Sequence, residues 1–106
     1  MPKIKKNRLP PFVYLTKEML QSPAFKKLTN SARVTYLLLQ SQNKSANQAK
    51  VIFSYKQAAE YMDRHTFSKA IKQLSNYGFI EISQFGGLYR RTNEYKFVEA
   101  WRSGKT

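Results

Sequence analysis

Residues 63–80, DRHTFSKAIKQLSNYGFI, set a basic, polar segment against an apolar one across a single glycine. Phe67, Ala70, Ile71, Leu74 and Tyr77 recur with a 3.6-residue period and define one apolar helix face, with Asp63 placed to cap its start. Gly78 is suited to a left-handed stop. After it FIEISQF changes to period two, with Ile80 and Ile82 on one side and Glu81 and Ser83 on the other. The stretch therefore predicts a helix, a glycine stop and an immediate strand. The same period turns His65, Ser68, Lys69, Lys72 and Asn76 outward, with Arg64, Thr66 and Gln73 on the flanks. Any wet helix face can have this composition, so its meaning depends on what surrounds it.

Just upstream, SYKQAAEYM at 54–62 opens with Ser54 and Gln57 at the capping-box spacing and predicts a helix with Ala58, Tyr61 and Met62 as its inner face. The run VIF at 51–53 reads as a strand that must find its partner elsewhere, and KSANQAK before it reads as a loop. TNSARVTYLLLQSQN predicts a central, well-buried helix capped by Thr29 or Ser31. Its stripe is Val34, Leu37 and Leu38, widened by Tyr36 and Leu39 and fading at Ser41. Two short helices precede it in TKEMLQ and SPAFKKL, capped by Thr16 and Ser22 with Pro23 at a first helical position, and Met19, Leu20, Phe25 and Leu28 are their expected core contacts.

Downstream, Gly86 and Gly87 start a seven-residue connection, GGLYRRT, to a second strand, NEYKFV, which can pair antiparallel with the first and gives a hairpin with a basic tip. Leu88 and Tyr89 beside that tip either pack on the body or contact sugars or a partner subunit. Trp101 is expected to lie back on the body as an anchor.

The chain has 106 residues, 42% hydrophobic and 14% aromatic, which predicts one folded domain rather than a disordered polycation. Nineteen Lys and Arg against six Asp and Glu give a formal charge of +13, with no acid between Glu18 and Glu60. A charge of this size opposes compactness and favours a polyanionic partner. Without cysteine the chain has neither disulfides nor Cys-based zinc sites, and with no membrane-length apolar run the expectation is a cytoplasmic, nucleoid-associated protein that is not exported and has no membrane partner.

Enzymatic chemistry is not expected. His65, Ser68 and Asp63 fall within one helical turn, where side chains one or two apart diverge and cannot assemble a triad. The glycine pair is a turn, the terminal GKT lacks the upstream glycine of a phosphate loop, and no cofactor or metal is implied. His65 is then either an exposed bystander or a pH-sensitive phosphate contact.

Helix, short strand, helix, turn, helix and hairpin is the order of a winged helix-turn-helix domain, and TFSKAIKQLSNYGFIEI resembles that family's recognition helix and first wing strand. On this resemblance, which covers about residues 29–98, Ser54 to Met62 is similar to the positioning helix and Gly86 to Thr92 corresponds to the wing. The turn MDRH lacks the glycine often found there. LTKEMLQSPAFKKLTNSARVTYLLL resembles the start of small winged-helix proteins and replication-associated domains of bacterial mobile elements and prophages.

The fold expected is therefore α+β, a winged helix-turn-helix with extra N-terminal helices and a C-terminal two-stranded wing. Residues 1–11 form a flexible basic arm, 12–101 the domain and 102–106 a polar tail. The expected partner is double-stranded DNA, bound in the major groove by Arg64, His65, Thr66, Ser68, Lys69, Lys72, Gln73 and Asn76. Arg90 and Arg91 on the wing would contact phosphates or the minor groove. Lys5, Lys6 and Arg8 on the arm either follow a groove or belong to a solvated terminus. A homodimer would double a site that one short helix reads only in part. The chain would serve as a small transcriptional repressor or a replication or mobile-element accessory factor. The alternative is a protein-interaction or assembly module of the same fold, with a protein partner in a regulatory or replication complex.

Overall fold

The computed structural model describes residues 12–42, 50–84 and 92–103. Its α-helices are α1 (Lys17–Gln21), α2 (Pro23–Lys26), α3 (Asn30–Ser41), α4 (Tyr55–Ala58) and α5 (Arg64–Asn76), and its strands are β1 (Lys50–Ser54), β2 (Ile80–Gln84) and β3 (Thr92–Phe97), followed by a 3-10 turn at Ala100–Ser103. The strands form one antiparallel sheet in the order β1-β3-β2. This is an α+β fold in which the last strand occupies the middle. The partner that β1 requires is β3, with Val51 opposite Tyr95 and Ile52 opposite Glu94.

Each helix begins where its sequence supplies an acceptor for orphan amides. Thr16, Ser22 and Thr29 accept from Met19, Phe25 and Ala32 at 3.1, 3.1 and 3.2 Å. Thr29, not Ser31, is thus the cap of α3. At α4 the box closes in both directions, Gln57 N–H donating to Ser54 Oγ at 3.0 Å and Ser54 N–H to Gln57 Oε1 at 2.9 Å. The helix itself ends at Ala58, four residues short of the span that SYKQAAEYM predicts. Arg33 completes the other end of α2, donating to the carbonyls of Phe25 and Lys26 at 3.2 and 3.3 Å.

At the start of α5 the Thr66 N–H donates to Asp63 Oδ1 at 2.9 Å. Hydrogen bonding by the Thr66 side chain, and next by its backbone, holds the Asp63 carboxyl below its ordinary range. A lowered folded value means that the cap's contribution is complete above the ordinary Asp range and is lost as pH falls through the lowered value. Following the Thr66 amide by NMR should therefore give an acid midpoint below that of a free Asp, and Asp63→Asn, which still caps, should abolish that titration. An unshifted midpoint would contradict the geometry.

Two stretches of the core depart from the expected faces. On α3 the buried side chains are Ala32, Thr35, Tyr36 and Leu39, whereas Val34 and Leu37 are 43% and 39% exposed and Leu38 is only half-buried. Tyr36 and Leu39 belong to the expected stripe and are buried, and the packing completes their face with the small Ala32 and Thr35 in place of Val34 and Leu37. Thr35 hides its hydroxyl by donating to Met62 Sδ at 3.4 Å. Leu20 of α1 is 44% exposed, and Tyr61 is 59% exposed because α4 stops before a second turn can bring it inward.

Aromatic rings tie the layers together. Phe79, fully buried just before β2, meets Phe25 and Tyr36 edge to face at 6.2 and 5.7 Å and stacks on Trp101 at 5.9 Å and 10°. Phe67 of α5 packs on Phe53 of β1 at 5.8 Å and on Tyr55 of α4 at 5.4 Å. Trp101 is the expected anchor, and Arg102 beyond it lies 4.7 Å over the indole while pairing with Glu18 and Glu99.

Candidate nucleic-acid interface

The position of α5 follows from its two ends and its buried face. Phe67, Ala70, Ile71 and Leu74 face the core, packed against α3, and Asp63 fixes the first turn. At the other end Gly78 has φ +87°. Its N–H donates to the Ser75 carbonyl at 3.3 Å and the Phe79 N–H to the Leu74 carbonyl at 2.9 Å, the paired hydrogen bonds of a Schellman stop. The helix therefore stands as a rigid ridge with a defined outer face.

Four of the eight α5 residues expected to touch a ligand occupy that outer face. His65, Lys69, Lys72 and Asn76 are all exposed and follow one another at steps of three or four residues. No acid lies between Asp63 and Glu81, so the ridge carries positive charge with hydrogen-bonding side chains interspersed.

The other four are placed differently. Gln73 is half-buried and its Oε1 accepts the Thr29 N–H at 3.0 Å, bracing α5 against the start of α3. Thr66 is half-buried in the capped first turn. On the opposite flank the Ser68 Oγ lies 3.3 Å from the Tyr55 hydroxyl, and the Arg64 guanidinium sits 4.5 Å above the Tyr55 ring. Sequence reasoning did not single out Tyr55, although its place directly after the Ser54 cap, ahead of the turn into α5, is a local signal for it. The local pattern marks Thr29 only as a cap, and its bond to Gln73 joins residues 44 apart in the chain.

Arg90, Arg91, Lys5, Lys6 and Arg8 lie outside the described residues, as do Gly86, Gly87, Leu88 and Tyr89. Strands β2 and β3 on either side of that segment do pair, with Ile80 opposite Phe97 and Ile82 opposite Tyr95 and an irregularity between Ile82 and Gln84.

Among the described residues no cluster of three His, Asp or Glu side chains could hold a metal ion, and no helix is long and apolar enough to cross a membrane. No protein-family profile matches the chain, nor does any curated protein or solved structure.

Proposed function

We propose that the chain is a winged helix-turn-helix protein that binds double-stranded DNA, with α5 in the major groove and the β2–β3 connection as a wing on the adjacent groove or backbone. The observation that carries this reading is the exposed row His65, Lys69, Lys72 and Asn76 on a helix fixed at both ends. Lysine reaches guanine acceptors or phosphates, and Asn pairs with adenine, so the row combines anchoring with readout. The succession α3, β1, α4, α5, β2, β3, with β1 paired to β3, supports the family resemblance. The formal charge of +13 supplies the long-range attraction.

A transcriptional repressor or a replication accessory factor is the role this reading favours. It is tested by measuring duplex binding against salt. If roughly five to eight cations meet phosphates, the logarithmic slope should be about −5 to −7. A flat dependence would sink DNA binding, and selection of duplexes from a random pool would reveal preferred bases and any two-fold symmetry.

A second reading, an assembly module, is favoured by one observation. Val34, Leu37 and Tyr61 expose apolar surface on the α3 side, beside an open groove that Leu38, Phe53, Gln57, Glu60 and Tyr61 help to line. Substituting Val34 and Leu37 by Ser separates the readings, since loss of self-association without loss of duplex binding would assign this face to protein contacts alone.

A further inference from the structure

The flank of α5 that faces α4 carries three donors from two elements. Arg64 and Ser68 are one turn apart on α5, and Tyr55 lies between them and the body, its ring held by Phe67 at 83°. The Tyr55 hydroxyl and Ser68 Oγ are 3.3 Å apart, and the Arg64 guanidinium is 4.5 Å above the same ring. Two hydroxyls in mutual contact use one hydrogen between them and leave the other free to donate. Arg64 is exposed and makes no hydrogen bond or ion pair with the described residues, so its N–H edges remain open. Stacking over an aromatic face leaves those edges directed sideways, with little rotamer freedom left to lose on binding.

We infer that Tyr55, Ser68 and Arg64 form a composite phosphodiester site, in which a non-bridging oxygen of the DNA backbone accepts from the guanidinium and from the free hydroxyl of the pair. The inference rests on the duplex-binding reading and assigns a residue and a role beyond it. A helix about 10–12 Å across nearly fills a major groove about 12 Å wide, so its flanks face the two phosphate rails. On the other flank Gln73 is engaged with Thr29, which leaves the Tyr55 side as the one with a preformed set of donors. Arg64 and Ser68 thereby become backbone anchors rather than base readers, and sequence discrimination passes to His65, Lys69, Lys72 and Asn76.

The test pairs protein and DNA changes. Tyr55→Phe keeps the ring and should leave thermal unfolding unchanged while weakening duplex binding roughly 5- to 20-fold, equally across sequences. Arg64→Gln should in addition make the salt slope shallower by about 0.9. Single phosphates of a bound duplex are then replaced in turn by uncharged methylphosphonate. At one position the replacement should weaken Tyr55→Phe by a smaller factor than it weakens the wild type, because Arg64 alone still reaches that phosphate in the variant. Losses that add at every position would overturn the site. Duplex binding that falls for Lys69 and Lys72 variants but is indifferent to Tyr55→Phe and Ser68→Ala would overturn this inference alone, whereas absence of duplex binding by the wild type would remove the DNA reading with it. Inorganic phosphate perturbing Tyr55 and Ser68 without any coupled duplex position would identify a free-anion site and overturn the backbone assignment.

Discussion

Gly78→Ala is expected to destabilise the protein by about 3 kcal/mol, combining the left-handed backbone with a steric clash. A β-carbon at this position would stand 2.7 Å from the backbone nitrogen of Trp101 and 2.9 Å from the carbonyl carbon and β-carbon of Ala100. None of these is the loose end of a flexible side chain. Trp101 is held there because its N–H donates to the Gly78 carbonyl at 3.1 Å while its ring stacks on Phe79, so the added carbon must displace the anchor or distort the stop. For a domain of this size the loss corresponds to a fall of roughly 12–24 °C in Tm, accompanied by a red shift of Trp101 fluorescence as the indole meets water. A melting temperature within a few degrees of wild type would show that the turn yields where the packing says it cannot.

The second large effect concerns binding. Lys69→Ala with Lys72→Ala removes two charges from the exposed ridge of α5, and neither side chain belongs to the core. If each neutralises a phosphate, the logarithmic salt slope becomes shallower by about 1.8 and affinity near 0.15 M salt falls roughly 30-fold, with the fold intact. Loss confined to a preferred sequence would instead identify base contacts. Unchanged binding in the double variant would remove α5 from the interface and leave the assembly reading standing.

Much of this architecture is written locally. Asp63, the Phe67–Leu74 period and Gly78 specify the bounds of α5 within one stretch, because caps and glycine stops act over only a few residues. Ser54 and Gln57 start α4 for the same reason. What the sequence leaves open depends on distant partners. The run containing Val34, Leu37 and Leu38 has apolar residues on more than one side. The approach of α5, with Phe79 and Phe97 against Tyr36, selects Ala32, Thr35, Tyr36 and Leu39 as the buried set. Local rules start α4 but do not show that it stops at Ala58 and leaves Tyr61 outside. The candidate site divides similarly. Period alone turns His65, Lys69, Lys72 and Asn76 outward, but the engagement of Gln73 by Thr29 and of Ser68 by Tyr55 spans elements far apart or separated by a turn.

The strand order β1-β3-β2 bears on how the molecule is assembled in time. β1 ends at Ser54 and cannot pair until Thr92 to Phe97 exist, and β2 waits for the same strand. Helices α3 and α5 can meet earlier, whereas the sheet closes in one late event that joins both orphan edges to a single ribbon. A chain halted before Thr92 would present two unpaired strands, including the apolar Val51, Ile52 and Phe53, to its neighbours. The central position of β3 thus makes the segment from Thr92 to Phe97 the step that commits the whole molecule to its native state.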